Sequence, residues 1–187
     1  LNHFKKIIKK IDILVFSDFN YGCLPQNLID KIINEAKKHN VFIVADSQSS
    51  SQVGNISRFN SLDLITPTER EARIALQNND DGLIILAESL KNKCSSKNII
   101  LTLGEAGILM LNHDDETDRL PTFNLLPVDV AGAGDSLYIT SSMILALGGS
   151  IWSAGFLGSV SASVQSSRVG NLPINSDDLI YKIENLI

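Results

Sequence analysis

The feature that most constrains this chain is a steady alternation of short apolar runs with amphipathic helical patterns. Residues 11–16 form an apolar run of strand length. Pro25 then opens a helical pattern with Leu28, Ile29, Ile32, Ile33 and Ala36 on one side and Lys31, Glu35, Lys37 and Lys38 mostly on the other. The strand signal returns over 41–45 and over 62–66, where Pro67 stops it. Helices are expected over 68–77 and 80–95, and strands over 98–103 and 107–111. NHDDETDR reads as a polar loop, residues 120–126 read as extended, and helices are expected over 134–147, 151–167 and 176–186. A succession of this kind predicts an α/β fold with a mainly parallel sheet and helices on both faces. Ligands of such sheets sit beyond the carboxyl ends of the strands.

Composition narrows the function classes. The 187 residues are 44% hydrophobic and 20% charged, enough for one globular domain with a substantial core. The net charge of −5 argues against a nucleic-acid partner, whose phosphates call for a basic face. Lys5, Lys6, Lys9 and Lys10 interleave with Phe4, Ile7, Ile8 and Ile11 at helical spacing and read as the wet side of one helix. Cys23 and Cys94 are far apart and outside any CxxC spacing, so neither a disulfide framework nor a zinc site is expected, and a reducing cytoplasm fits best. No apolar run is long enough to span a membrane. His3, His39 and His113 are scattered and read as surface residues. The chain starts at Leu1 in mid-helix and reads as a fragment of something longer.

The informative polar groups fall where strands end. Residues 127–137, PVDVAGAGDSL, place Gly132, Ala133 and Gly134 ahead of a helical pattern, with Asp135 in its first turn. Bare backbone at a helix start leaves amides for an anion, and the aspartate beside them is a candidate proton acceptor. The competing reading is a glycine loop closed by a capping Asp. Thr68 and Glu71 have the spacing of a capping box. Thr102, Gly104 and Gly107 fit a glycine turn joining two strands, and Gly170 fits a helix C-cap.

Taken in order, these passages resemble the PfkB (ribokinase-like) carbohydrate kinases. The resemblance covers nearly the whole chain. It implies a three-layer α/β sandwich of which residues 1–187 are the C-terminal portion, with the N-terminal lid portion missing. It makes Asp135 the catalytic base and Gly132, Ala133 and Gly134 the anion hole. Glu71 would organise magnesium and phosphates, with Thr68 standing where the family usually has asparagine. Thr102, Gly104 and Gly107 would lie against ATP. Backbone carbonyls of Gln165, Arg168 and Gly170, together with Asp129 and Ala131, occupy places that hold a monovalent cation, potassium, in several relatives.

Residues 17–22, residues 45–47 and the Asp129–Val130 start of the last motif resemble the heptose-7-phosphate kinase group in particular. Tyr21 and the serine-rich run after Asp46 depart from that group. The activity this implies is transfer of a phosphoryl group from ATP, with Mg2+, to D-glycero-D-manno-heptose 7-phosphate. Kinases of ribose, fructose or nucleosides share the same motifs, and a non-catalytic nucleotide-binding domain of this fold is the remaining alternative. Asp18, at a strand end, is a candidate sugar contact. Neither nucleic acid nor membrane is an expected partner. A homodimer would form through the missing lid.

Overall fold

Four of the apolar runs become neighbouring parallel strands in a computed structural model that describes residues 1–49 and 52–186; residues 50 and 51, in the serine-rich run, and residue 187 lie outside the described residues. The chain divides into two compact units, Leu1–Leu101 with Leu111–Thr117, and Thr102–Met110 with Asp118–Ile187.

The first unit is built on β1 (Ile13–Asp18), β2 (Phe42–Ser47), β3 (Leu64–Ile65) and the start of β4 (Asn98–Thr102). They pair in parallel, with Ile13 opposite Phe42, Val44 opposite Leu64 and Leu64 opposite Asn98. Ile43, Val44, Ala45, Leu64, Ile65, Ile99 and Ile100 are all buried, which explains why these runs are apolar throughout rather than alternating. β1 begins and ends two residues later than its apolar run suggested, and this brings Asp18 into the strand. β3 is shorter than expected. Hydrogen bonds from Lys97 N to Leu62 O and from Asn98 N to Asp63 O nevertheless continue the pairing back to the expected start.

Pro25 is the N-cap of α2 (Gln26–Lys38), its fixed φ suiting the entry to a helix, and Ile29, Ile33 and Ala36 form the buried stripe. α3 (Glu69–Leu76) and α4 (Leu83–Cys94) follow β3, and α4 buries Leu86, Ala87, Leu90 and Cys94. Burial pushes the Cys94 thiol up to about 12, so it stays protonated at neutral pH, whereas Cys23 is exposed. At the N-terminus, α1 (Asn2–Ile7) and the 3₁₀ turn after it expose Lys5, Lys6, Lys9 and Lys10, while Ile8 is buried and Phe4 and Ile11 are half-buried.

The second unit carries β5 (Ile108–Leu111) apart from its last residue, most of β6 (Thr117–Leu120), α5 (Ala133–Ala146), α6 (Ile151–Ser166) and α7 (Ser176–Glu184). The sheet has six strands in the order β1-β2-β3-β4-β5-β6. β6 corrects an expectation, since it falls in the polar segment read as a loop, and residues 121–126 have no regular structure. It stands last in the strand order of the described residues, and its Asp118 and Arg119 are exposed, as charged residues on an edge strand usually are. The turn before it is shaped by Asn112, whose Oδ1 accepts from the amides of Asp114 and Glu116.

α5 and α6 approach closely because α6 is built of small residues. A Cβ at Gly158 would stand 2.2 Å from Ser141 Oγ, and that hydroxyl donates instead to the Ala154 carbonyl at 2.9 Å. Among the described residues no helix is long and apolar enough to cross a membrane.

Candidate active site

At the start of α5 the backbone is left largely uncovered. Gly132 is the N-cap with φ 77°, and no side chain caps the helix. The first α-helical bond is donated by Ser136 N to Gly132 O, so the amides of Gly134 and Asp135 precede the ladder. Ala133 N instead donates to Val130 O at 3.2 Å. One of the three amides expected to face outward is therefore used by the turn itself.

The two glycines are there for different reasons. A Cβ at Gly132 would meet only the movable amide end of the exposed Asn171 side chain, at 2.5 Å, so it is the φ of 77° that favours glycine there. A Cβ at Gly134 would meet nothing within 4 Å, so no protein neighbour demands glycine there. What a glycine at that position does provide is unobstructed access to the first-turn amides and to the positive end of the helix dipole. Asp135 is half-buried in the same turn.

The segment leading into α5 is fastened to the end of α6. Asp129 accepts Ala131 N on Oδ1 and Gly170 N on Oδ2, both at 2.9 Å, and these two bonds hold its carboxyl below the usual aspartate range. Ser166 takes the amides of Val128 and Asp129 on its carbonyl, and its Oγ accepts from Asn124 at 2.9 Å. Gln165 is wholly buried. Its Nε2 donates to Ala131 O at 3.2 Å and to Gly170 O at 2.8 Å, while its Oε1 has no hydrogen-bond partner among the described residues. Arg168 serves the loop that follows, with Nη2 donating to the carbonyls of Leu172 and Pro173 and Nη1 lying 3.5 Å from Asp178.

The turn after β4 is the glycine turn that the sequence predicts. Leu103 N donates to Gly107 O at 2.9 Å and Gly107 N to Gly104 O at 3.0 Å. Gly107 is required by packing, since a Cβ there would lie 2.0 Å from the Leu120 carbonyl oxygen, and its φ of 87° disfavours any side chain. Gly104 is exposed with open space around it. Thr102 is half-buried at the end of β4.

Within the first unit, Thr68 and Glu71 form a complete capping box. Thr68 Oγ1 accepts Glu71 N at 3.2 Å and Glu71 Oε2 accepts Thr68 N at 2.8 Å. The other carboxylate oxygen of this buried glutamate accepts Ser49 N at 2.9 Å. Asp18 is likewise committed inside the fold, with Oδ1 taken by Asn20 N and Oδ2 paired to Arg58 at 3.1 Å; Arg58 also donates to the Leu24 carbonyl. A cavity of about 370 Å³ lined by Lys37, Asn40, Phe42, Ser61 and Lys97 opens at the N-terminal ends of β2 and β3, the wrong end of these strands for a ligand in such a sheet. Among the described residues no three His, Cys, Asp or Glu side chains gather to hold a metal ion.

The sequence reading did not anticipate the Gln165 side chain, Ser166, Asn171 or the Ser49 amide. Gln165 alone had a visible signal, as a lone amide side chain at the end of a helix otherwise made of small and apolar residues.

Residues 1–175 match the pfkB family of carbohydrate kinases. The bifunctional protein HldE of Campylobacter fetus subsp. fetus is 30% identical over 189 residues, covering 100% of this chain and 39% of its own length. Phosphofructokinase-2 from Escherichia coli, in a crystal structure in complex with potassium, superposes with TM-score 0.80 at 18% identity, over 99% of this chain and 62% of that one. Arabidopsis thaliana ribokinase complexed with ribose and ATP gives TM-score 0.81 at 16% identity, over 98% of this chain and 59% of that one. The chain thus spans well under two thirds of the length of each of these proteins.

Proposed function

Because this chain belongs to the pfkB family of carbohydrate kinases, we propose that its chemistry is transfer of the terminal phosphoryl group of ATP to a hydroxyl of a sugar or sugar phosphate. The observation that carries this reading is the start of α5. It has a glycine N-cap, no capping side chain, an uncovered Gly134 and a carboxylate in the first turn.

Each residue has a task in this scheme. Asp135 accepts the proton of the attacking hydroxyl while the bond to phosphorus forms. The amides of Gly134 and Asp135, with the helix dipole behind them, stabilise the charge of the phosphoryl group in flight. Gly132 gives the turn its shape, and Ala133, its amide spent on Val130, contributes a small side chain that leaves the approach open. Thr102 and the exposed backbone at Gly104 receive the nucleotide, with Gly107 holding their turn in place.

Glu71 and Thr68 are assigned to the magnesium and phosphates of ATP. The donor chemistry fits a hard cation held mainly by phosphate oxygens and waters. Both Glu71 oxygens already accept amides, and the carboxylate would act on the ion indirectly, through the negative charge it holds there. Bound with ATP, magnesium supplies neutralisation of the phosphate charge.

For the acceptor we assign D-glycero-D-manno-heptose 7-phosphate. Support comes from the resemblance of residues 17–22, 45–47 and 129–130 to the heptose kinases, and from the 30% identity to HldE. The test is ADP release by the full-length protein with magnesium, ATP and a panel of heptose 7-phosphate, ribose, fructose 6-phosphate and adenosine. Preference for the heptose supports the full assignment. Preference for another sugar replaces the acceptor and keeps the chemistry, and no release above the acceptor-free rate defeats both.

A further inference from the structure

Gln165 carries an inference that rests on the kinase reading and deepens it. The two carbonyls that its Nε2 reaches, those of Ala131 and Gly170, are two of the groups to which the resemblance assigns a monovalent cation. Converging carbonyl oxygens hold a dehydrated potassium ion by replacing its water shell. Here the space between these two oxygens is filled by an amide nitrogen, 3.2 Å from one and 2.8 Å from the other. Its two protons serve the same purpose as an ion's charge, drawing together oxygens that would otherwise repel. Turning the amide over would set three acceptor oxygens against one another, so chemistry fixes its orientation.

The nearby negative charge is engaged too. Asp129 accepts Ala131 N and Gly170 N, one on each carboxylate oxygen, from the same two residues whose carbonyls Gln165 bridges. The residues present therefore do not fit a potassium ion. They form a closed clasp in which Asp129 takes the amides and Gln165 the carbonyls. Its one defect is the buried Oε1, which has no partner among the described residues.

We propose that the Gln165 side-chain amide takes the place of the monovalent cation in this kinase, so that phosphoryl transfer here does not depend on potassium. Gln165 is a positioning residue. Ala131 immediately precedes Gly132, the N-cap of α5, so the clasp sets where the first-turn amides and Asp135 stand. Removing the amide opens the space an ion would need and exposes two unsatisfied carbonyls to attract one.

The experiment uses the full-length protein at constant ionic strength, with potassium exchanged for tetramethylammonium, and follows both kcat and Tm. The wild type is expected to show the same kcat and the same Tm in the two salts. Gln165→Ala is expected to lose about tenfold in kcat in tetramethylammonium, as misplacement near a reacting group does. Potassium should restore most of that loss and raise the Tm of the variant alone. A wild-type kcat or Tm that climbs to saturation with potassium overturns the proposal, and that arm needs no variant to fold. A Gln165→Ala defect that potassium leaves untouched also overturns it, by reducing the amide to a structural tie. Absence of turnover in every salt defeats the kinase reading instead, and the Tm comparison then decides the clasp on its own.

Discussion

The first turns of α3 and α5 face the same electrostatic situation and resolve it in opposite ways. Both helices have orphan amides and a carboxylate in the first turn. At α3 the chain satisfies itself, with Thr68 and Glu71 exchanging hydrogen bonds and Glu71 reaching across to Ser49 N. At α5 the N-cap is a glycine with no side chain to offer, and nothing stands over Gly134. The difference separates a helix start closed by its own side chains from one that no side chain caps. Two motifs of similar strength in the sequence became differently capped helix starts in the structure.

The largest test of this contrast is at Asp135. Asp135→Asn is expected to lower kcat by about 10² to 10⁴-fold with Tm unchanged, as removal of a general base does. A variant with near-wild-type turnover would erase the functional half of the comparison.

Gly134→Ala should split activity from stability. Turnover is expected to fall by about tenfold or more as a methyl group obstructs the amides, whereas the helix gains about 0.5–1 kcal/mol in urea unfolding, because no neighbour is there to clash. Loss of stability would show that the space over Gly134 is not open.

Glu71→Gln should behave in the reverse sense. The new NH2 group would confront an amide donor, so unfolding is expected to become easier by about 1–3 kcal/mol whatever happens to turnover. Thr68→Ala, which removes only the cap, is expected to cost about 1 kcal/mol. If either change left the urea midpoint where it was, the self-satisfied reading of α3 would fail.

The smallest effect concerns the fastening behind α5. Its two amide bonds lower the folded pKa of Asp129 below the unfolded value of 3.8. The stabilisation is therefore complete above that value and fades as pH falls through the folded one. Asp129→Asn should leave the acid limb of the pH–stability curve shallower than wild type, and an unchanged limb would mean that the carboxylate is not coupled to folding.

Most of the architecture was legible because buried parallel strands are apolar throughout and the helices between them keep their period. β6 was not, since an edge strand made of Thr117, Asp118 and Arg119 lacks both signals and is defined by the hairpin that delivers it. The motifs located the candidate site, yet the partners of its side chains lay beyond sequence reading. Asp18 meets Arg58 across 40 positions and Gln165 meets Ala131 across 34, and no local pattern announces pairs so far apart. The expectation that Gln165 would offer its backbone carbonyl left its side chain out of account, and it is the side chain that bridges the Ala131 and Gly170 carbonyls.

The close passage of the Leu120 backbone over Gly107 has a consequence at the level of the gene. A glycine codon becomes another amino acid or a stop through any change in its first or second base, and every replacement amino acid carries a Cβ. At this position each would drive that carbon into a carbonyl oxygen. Among homologous genes, codon 107 should therefore drift only in its third base, while codon 104, whose residue looks out on open space, is free of that steric veto.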